Sequence, residues 1–150
     1  MGEVAVALGV HRRVGVDSNI FIYQFESDNF PDFAPLSQEL FELVQAGKIE
    51  AITSGITLTE IGVVPYRRGR AEVAYQYGYV LRTMPHLSLV DIDHRVADRA
   101  AMLRARYGLR TPDALQLAAA IEGRATAFLT ADRELTRAGG EIEIVLLQGG

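Results

Sequence analysis

Four acidic residues stand where carboxylates from distant parts of the chain could act together: Asp17, Glu60, Asp113 and Asp132. Two like charges a few ångströms apart repel by about 4 kcal/mol at an effective dielectric of 20, and a divalent cation removes that repulsion. Because only oxygen ligands are on offer, Mg²⁺ or Mn²⁺ suits such a cluster better than zinc. The chain has no cysteine nucleophile and no phosphate-binding glycine loop. The expected chemistry is therefore metal-assisted hydrolysis of a phosphodiester.

Each acid also has a purely local explanation, because acidic side chains cap helices and complement the helix dipole. The first and last of the four directly precede predicted helices. Glu60 would complete a capping box with Thr57, and Asp113 would lie in the first turn of a helix capped by Thr111. Each acid taken singly is sufficiently explained in this way. The interpretation as a metal site therefore depends on whether the four acids lie close together in the folded chain.

The elements that must position the acids are short apolar strands alternating with helices. The predicted strands are Val14–Val16, Ile49–Thr53, Leu87–Ile92, Ala125–Thr130 and Ile142–Leu147. The predicted helices are Ser18–Phe25, Leu36–Ala46, Leu58–Tyr66, Ala71–Met84, His94–Tyr107, Pro112–Glu122 and the short Arg133–Ala138. This alternation predicts a mainly parallel sheet covered on both faces. Residues that follow strands then meet at one edge of the sheet, which is where we expect the acids.

Composition limits the classes of protein that this chain can represent. Its 150 residues make one domain, and the absence of cysteine excludes disulfides and cysteine-bound metals and favours the cytoplasm. No stretch is apolar for the 18 or more residues of a membrane span. A net charge of −4 argues against nucleic-acid binding by bulk charge, although the run RRGR at 67–70 could contact RNA or a partner as easily as form a loop. We expect residues 1–13 to be an extension ahead of a domain spanning 14–150.

The segments around the acids resemble the PIN-domain ribonucleases, and in particular the VapC-type toxins of toxin–antitoxin pairs. These segments are VDSNIFIY around Asp17, TLTE ending at Glu60, TPDALQLAAA around Asp113 and FLTADREL around Asp132. The likeness runs from about Val14 to Val145. It implies a three-layer α/β/α sandwich with a mainly parallel five-stranded sheet. It also implies Mg²⁺- or Mn²⁺-dependent cleavage of single-stranded RNA by a homodimer that a small antitoxin protein inhibits.

The resemblance also assigns roles to residues of this chain. Asp17, Asp113 and Asp132 would be metal-binding and catalytic carboxylates, and Glu60 would be the further catalytic acid. The polar residues that would support this cluster are Ser18, Asn19 and Thr130. Arg110 and Arg133, which adjoin two of the acidic segments, are candidates for contacts to RNA phosphates, although each could equally be a solvated surface arginine.

Three other classes place acids at strand ends or use the same scaffold. A receiver-type phosphoacceptor would need paired acids after its first strand and a lysine after a late strand, whereas the only lysine, Lys48, precedes the second strand. A haloacid-dehalogenase-like phosphatase would need Asp-x-Asp where this chain has Asp17, Ser18 and Asn19. The remaining alternative is a catalytically inactive PIN-like scaffold that binds RNA or protein, although a scaffold has no need to hold four repelling charges together.

Overall fold

Five strands form one sheet at the centre of the folded domain. In the computed structural model, which describes residues 2–149, the strands are β1 (Arg13–Val16), β2 (Glu50–Ser54), β3 (Leu87–Val90), β4 (Ala127–Thr130) and β5 (Glu143–Leu146). Their order is β3-β2-β1-β4-β5, and every neighbouring pair is parallel. The prediction of a mainly parallel five-stranded sheet is confirmed.

Helices cover both faces of this sheet. They are α1 (Glu3–Leu8), α2 (Ser18–Phe25), α3 (Ala34–Gln45), α4 (Gly55–Arg67), α5 (Ala71–Thr83), α6 (His94–Tyr107) and α7 (Thr111–Glu122), with short 3₁₀ helices at Ser27–Asn29 and Arg133–Ala138. One hydrophobic cluster contains residues of the five helices α1, α2, α3, α4 and α5. A second contains residues of α6, α7 and the later 3₁₀ helix. The predicted α/β/α sandwich is therefore confirmed. None of the helices within residues 2–149 has the length and apolar character that crossing a bilayer would require.

Gly15 allows α7 to pack directly against the central strand β1. A Cβ atom at this position would lie 2.5 Å from the Cβ of Ala120 and 2.7 Å from Cδ1 of Phe128. Both distances are shorter than carbon atoms tolerate in a packed core. The missing side chain thus brings the helix that carries Asp113 close to the strand that leads to Asp17.

The residues predicted to precede the domain are packed against it. Val4 and Leu8 of α1 are buried in the same hydrophobic cluster as Leu40 of α3. The carboxylate of Glu39 accepts the backbone N–H groups of Val4 (3.0 Å) and Ala5 (2.8 Å). β1 itself begins within the predicted extension, at Arg13. A domain boundary at residue 14 stays a prediction.

Two of the local capping predictions are wrong. Helix α4 begins at Gly55, three residues before the predicted start, because the Ser54 hydroxyl accepts the N–H of Ile56 (3.2 Å) and caps the helix. Thr57 consequently lies inside α4 and forms no capping box with Glu60. Helix α7 begins at Thr111 itself and has no side-chain cap among the described residues.

Candidate active site

Asp17 is the most buried of the four acids, with 6% of its surface exposed. It directly follows β1 and caps α2, and its Oδ1 accepts the N–H of Ser18 (2.8 Å). Its Oδ2 accepts a hydrogen bond from the Thr130 hydroxyl (2.6 Å). Burial raises the pKa of Asp17 to about 6, the two hydrogen bonds oppose this rise, and the negative charges of Asp113 and Glu60 add to it. A carboxylate that is buried and repelled in this way is stabilised by a nearby cation.

Thr130 connects Asp17 to Asp132. Its buried hydroxyl accepts the backbone N–H of Asp132 (3.0 Å) while it donates to Asp17. The Oδ1 of Asp132 accepts the N–H of Glu134 (3.0 Å), so Asp132 does cap the following 3₁₀ helix. The local explanation for Asp132 is therefore correct, but one carboxylate oxygen remains available for a second role.

Asp113 and Glu60 lie on the two helices beside Asp17. Asp113 is in the first turn of α7, and its Oδ2 accepts a hydrogen bond from Nε of the exposed Arg110 (3.2 Å). Partial burial raises the pKa of Asp113, Arg110 lowers it, and Asp132 raises it further. Glu60 is in the second turn of α4 and is exposed at the rim, where partial loss of hydration and the charge of Asp113 raise its pKa.

The pattern of these pKa shifts shows which acids interact. Asp17 is influenced by Asp113 and Glu60, Glu60 by Asp113, and Asp113 by Asp132. Each of the four acids predicted from distant segments therefore lies within electrostatic reach of at least one other at the carboxyl edge of the sheet. The distribution of charge there is strongly acidic, and Arg110 partly neutralises it.

The donors at this edge have the chemistry of a hard divalent cation site. They are carboxylate and amide oxygens, which Mg²⁺ and Mn²⁺ prefer. The Oδ1 of Asn19, two residues after Asp17, is a buried acceptor without a hydrogen-bond partner among the described residues. Within residues 2–149, however, no three histidine or acidic side chains are close enough together to hold a metal ion. The donor types and the charge fit such an ion, and the side chains must move closer for three of them to share it.

The two arginines predicted to contact phosphate differ in their surroundings. Arg110 lies at the acidic edge, because it is paired with Asp113 and also interacts with Asp132 and Glu60. Arg133 is exposed at the start of the 3₁₀ helix that Asp132 caps. Only Arg110 thus has a direct contact to one of the four acids.

Sequence reasoning missed two residues beside the acids. Gln116 is buried on α7, one turn after Asp113, and hydrogen-bonds to Ser18. The available signal was that Gln116 is the one polar residue in the otherwise apolar run ALQLAAAI. Tyr23 of α2 has a pKa raised by partial burial and by the charges of Asp17 and Asp132. Its phenol therefore belongs to the same edge.

Comparisons with known proteins identify the family and the fold of the chain. A family model described as the PIN domain matches residues 14–141. A toxin–antitoxin complex from Klebsiella pneumoniae is similar in structure, with a TM-score of 0.64 and 23% identity over 88% of this chain and 95% of that one. DNA-bound VapBC from Salmonella typhimurium has the same TM-score, with 21% identity over 89% and 96% of the two chains.

A third solved structure shows the same fold. It is VapBC2 from Rickettsia felis bound to a DNA fragment from its promoter, with a TM-score of 0.64 and 15% identity over 92% of this chain and 99% of that one. A search among curated proteins returned no match. At these identities the structural likeness establishes the fold alone, and the match to the family model covers most of the chain.

Proposed function

The chain belongs to the PIN-domain family, and from that premise we propose that it is a Mg²⁺- or Mn²⁺-dependent endoribonuclease that hydrolyses single-stranded RNA in the cytoplasm. The observation that carries this proposal is the electrostatic interaction among four acids at one edge of the sheet, where burial and this interaction together raise the pKa of Asp17 to about 6. The acids are Asp17, Glu60, Asp113 and Asp132. A protein without a cation to bind gains nothing from burying one carboxylate beside others, since each adds repulsion.

In this proposal Asp17, Asp113 and Asp132 hold the metal ion, which when bound would supply a water of lowered pKa and neutralise charge on the scissile phosphate. Hydrogen bonds from Thr130 and from the Ser18 N–H fix the orientation of Asp17. These donors keep both oxygens of the buried Asp17 carboxylate in place, so the movement needed to share one ion falls to Asp113 and Asp132.

The remaining polar residues act on the substrate and on protons. Hydrolysis forms a bond from a water oxygen to phosphorus and breaks the bond from phosphorus to O3′, which takes up a proton from solvent, leaving 5′-phosphate and 3′-hydroxyl ends. Glu60 is exposed at the rim with a raised pKa, which suits it to take up the proton that the water loses. Arg110 carries an exposed guanidinium beside Asp113 and can turn toward an RNA phosphate, and Arg133 is a second candidate for such a contact.

The experiment that tests the proposal is cleavage of single-stranded RNA with Mg²⁺, with Mn²⁺ and with a chelator. We expect cleavage by the wild-type chain only with metal, and none by Asp17→Asn. The matched control is Asp93→Asn, because Asp93 caps α6 after β3 as Asp17 caps α2 after β1, but two strands away in the sheet. Equal activity of the Asp17 and Asp93 variants would contradict the assignment.

One observation favours a second candidate, a PIN-like scaffold that binds RNA or protein without cutting it. The acidic side chains within residues 2–149 are not close enough in threes to hold an ion. The same assay separates the two functions, because a scaffold would retain RNA on a filter and leave it intact with every metal. Metal-dependent product with a 5′-phosphate would exclude the scaffold.

We also propose that the chain is the toxin of a toxin–antitoxin pair and acts as a homodimer with a small antitoxin protein as its partner. Support comes from the solved structures of similar fold, of which one is described as a toxin–antitoxin complex and two as VapBC proteins bound to DNA. Growth arrest on expression, relieved by co-expression of a short protein encoded by the neighbouring reading frame, is the expected result. Growth unaffected by a catalytically active chain would point to a housekeeping nuclease, and light scattering measures the dimer directly.

A further inference from the structure

Behind the acids lies a buried cluster of hydroxyl and amide side chains, which we call the hydroxyl–amide network: Ser18, Thr53, Ser54, Thr57 and Gln116. Each of the five exposes 3% of its surface or less. Nε2 of Gln116 donates to the hydroxyl oxygens of Ser18 (2.8 Å) and Thr57 (2.9 Å), and its Oε1 accepts from the Ser54 hydroxyl. The Thr57 hydroxyl also lies 3.0 Å from that of Ser18 and 2.7 Å from that of Thr53.

Counting protons fixes the direction of every bond in the network. Thr53 donates its only hydroxyl proton to the carbonyl oxygen of Val16 (3.1 Å), so Thr57 must donate to Thr53. Ser18 must then donate to Thr57. Both acceptor positions of the Thr57 oxygen are filled, one by Ser18 and one by Gln116. With the opposite amide orientation, Thr57 would need two protons, so Gln116 must direct its NH₂ group toward Ser18 and Thr57.

Three members of the network lie within the first two turns of helices, and Thr53 and Ser54 lie at the end of β2. Ser18 begins α2, Thr57 is in the first turn of α4, and Gln116 is in the second turn of α7. The acid nearest in sequence to each of them, in the same order, is Asp17, Glu60 and Asp113. Asp17 is the residue directly before Ser18. Glu60 and Asp113 are each three residues from their network partner, and residues at that spacing are neighbours on one side of a helix.

We propose that Gln116 is a positioning residue that sets the separation of the acidic side chains at this edge, an inference that rests on the proposed nuclease function. Gln116 is the member that reaches from α7 to both other helices, and it does so with the two protons of a single amide. Without these bonds α2 and α4 are free to shift away from α7 under the repulsion between their carboxylates. Fewer of the acids would then be within reach of one cation.

The test replaces Gln116 with methionine, which is similar in length and cannot donate. Binding of Mn²⁺ to the purified chain is measured by titration calorimetry, and RNA cleavage is measured in parallel. Loss of residues that orient metal ligands commonly weakens binding tenfold to a hundredfold, and we expect Gln116→Met to fall in that range, with kcat reduced and KM for RNA unchanged. The control is Ser37→Ala, which removes an equally buried hydroxyl from α3, on the other face of the sheet from α7, and should change neither quantity.

Thr57→Val, which removes the same link from the α4 side, serves as the second variant if Gln116→Met does not fold. Wild-type Mn²⁺ affinity in the folded variant overturns the proposal. If the wild-type chain itself binds no Mn²⁺ and cuts no RNA, the nuclease function fails, and crystal structures of metal-free wild type and variant then decide the positioning role. A shift of α2 or α4 relative to α7 supports that role, whereas superimposable acids refute it.

Discussion

Replacing Asp17 with asparagine should stabilise the metal-free protein at alkaline pH. Burial raises the pKa of Asp17 from 3.8 to about 6. The folded state therefore holds its proton more tightly than the unfolded state does. For an acid shifted in this direction, stability is fully present below the unfolded value and is lost as the pH rises through the folded value. The loss should thus develop between about pH 4 and pH 6 and be complete at pH 8.

The size of the effect follows from the same numbers. A shift of about two pKa units corresponds to about 3 kcal/mol of folding free energy. Asparagine cannot ionise, but it gives up the bond that Thr130 donates to Oδ2, which offsets about 1 kcal/mol. The net gain for Asp17→Asn at pH 8 is then about 2 kcal/mol. For a chain of this length that is roughly 4–8 °C in Tm.

Thermal unfolding followed by circular dichroism, in chelator at pH 4 and pH 8, measures this difference. At pH 4 we expect the variant to be no more stable than the wild type, and at pH 8 to be clearly more stable. Asp93→Asn is the control, because asparagine caps a helix as well as aspartate does and Asp93 is exposed. An Asp17 variant that is less stable than the wild type at pH 8 would refute the idea that repulsion and burial act on this carboxylate.

Three further results are expected. Thr130→Val removes the hydroxyl donor to Asp17, so the pKa of Asp17 should rise above about 6 in a carboxyl-carbon NMR titration, and an unchanged value would mean that this bond is not formed. Gly15→Ala forces α7 away from β1 and should lower stability in urea by about 1–3 kcal/mol; an unaltered midpoint would show that the contact yields easily. Arg110→Gln should weaken RNA binding and reduce the magnitude of its salt-dependence slope by about one, whereas identical slopes would leave Arg110 as a partner of Asp113 alone.

The fold and the meeting of the acids were predictable because they depend on patterns that span whole elements. Alternating strands and helices imply a parallel sheet, and acids that follow β1 and β4 must then emerge at the same edge. Asp17 and Asp132 were therefore placed correctly relative to one another from their position after a strand. Asp113 could be placed only on the condition that its helix starts on the same side. The structure meets this condition, because α7 leads into the N-terminal end of the parallel strand β4 and therefore begins at the opposite, carboxyl edge.

The local details were not predictable because they depend on tertiary contacts. Ser54 caps α4 directly at the end of β2, so the helix starts earlier than the apolar spacing of its residues indicates. The spacing of Thr57 and Glu60 predicts a capping box, but the Thr57 hydroxyl accepts a hydrogen bond from Gln116 on another helix. The packing of Val4 and Leu8 into the core likewise requires α3 to supply both the surface and the carboxylate of Glu39.

The central claim is that carboxylates from distant segments bind one divalent ion at the carboxyl edge of the sheet. The most direct measurement is a crystal structure of the chain with Mn²⁺, in which anomalous scattering locates the metal without reference to the protein. We expect a peak bonded to carboxylate oxygens of Asp17, Asp113 and Asp132. A metal-dependent nuclease whose Mn²⁺ peak lies elsewhere, or a saturated crystal with no peak at this edge, would contradict the claim.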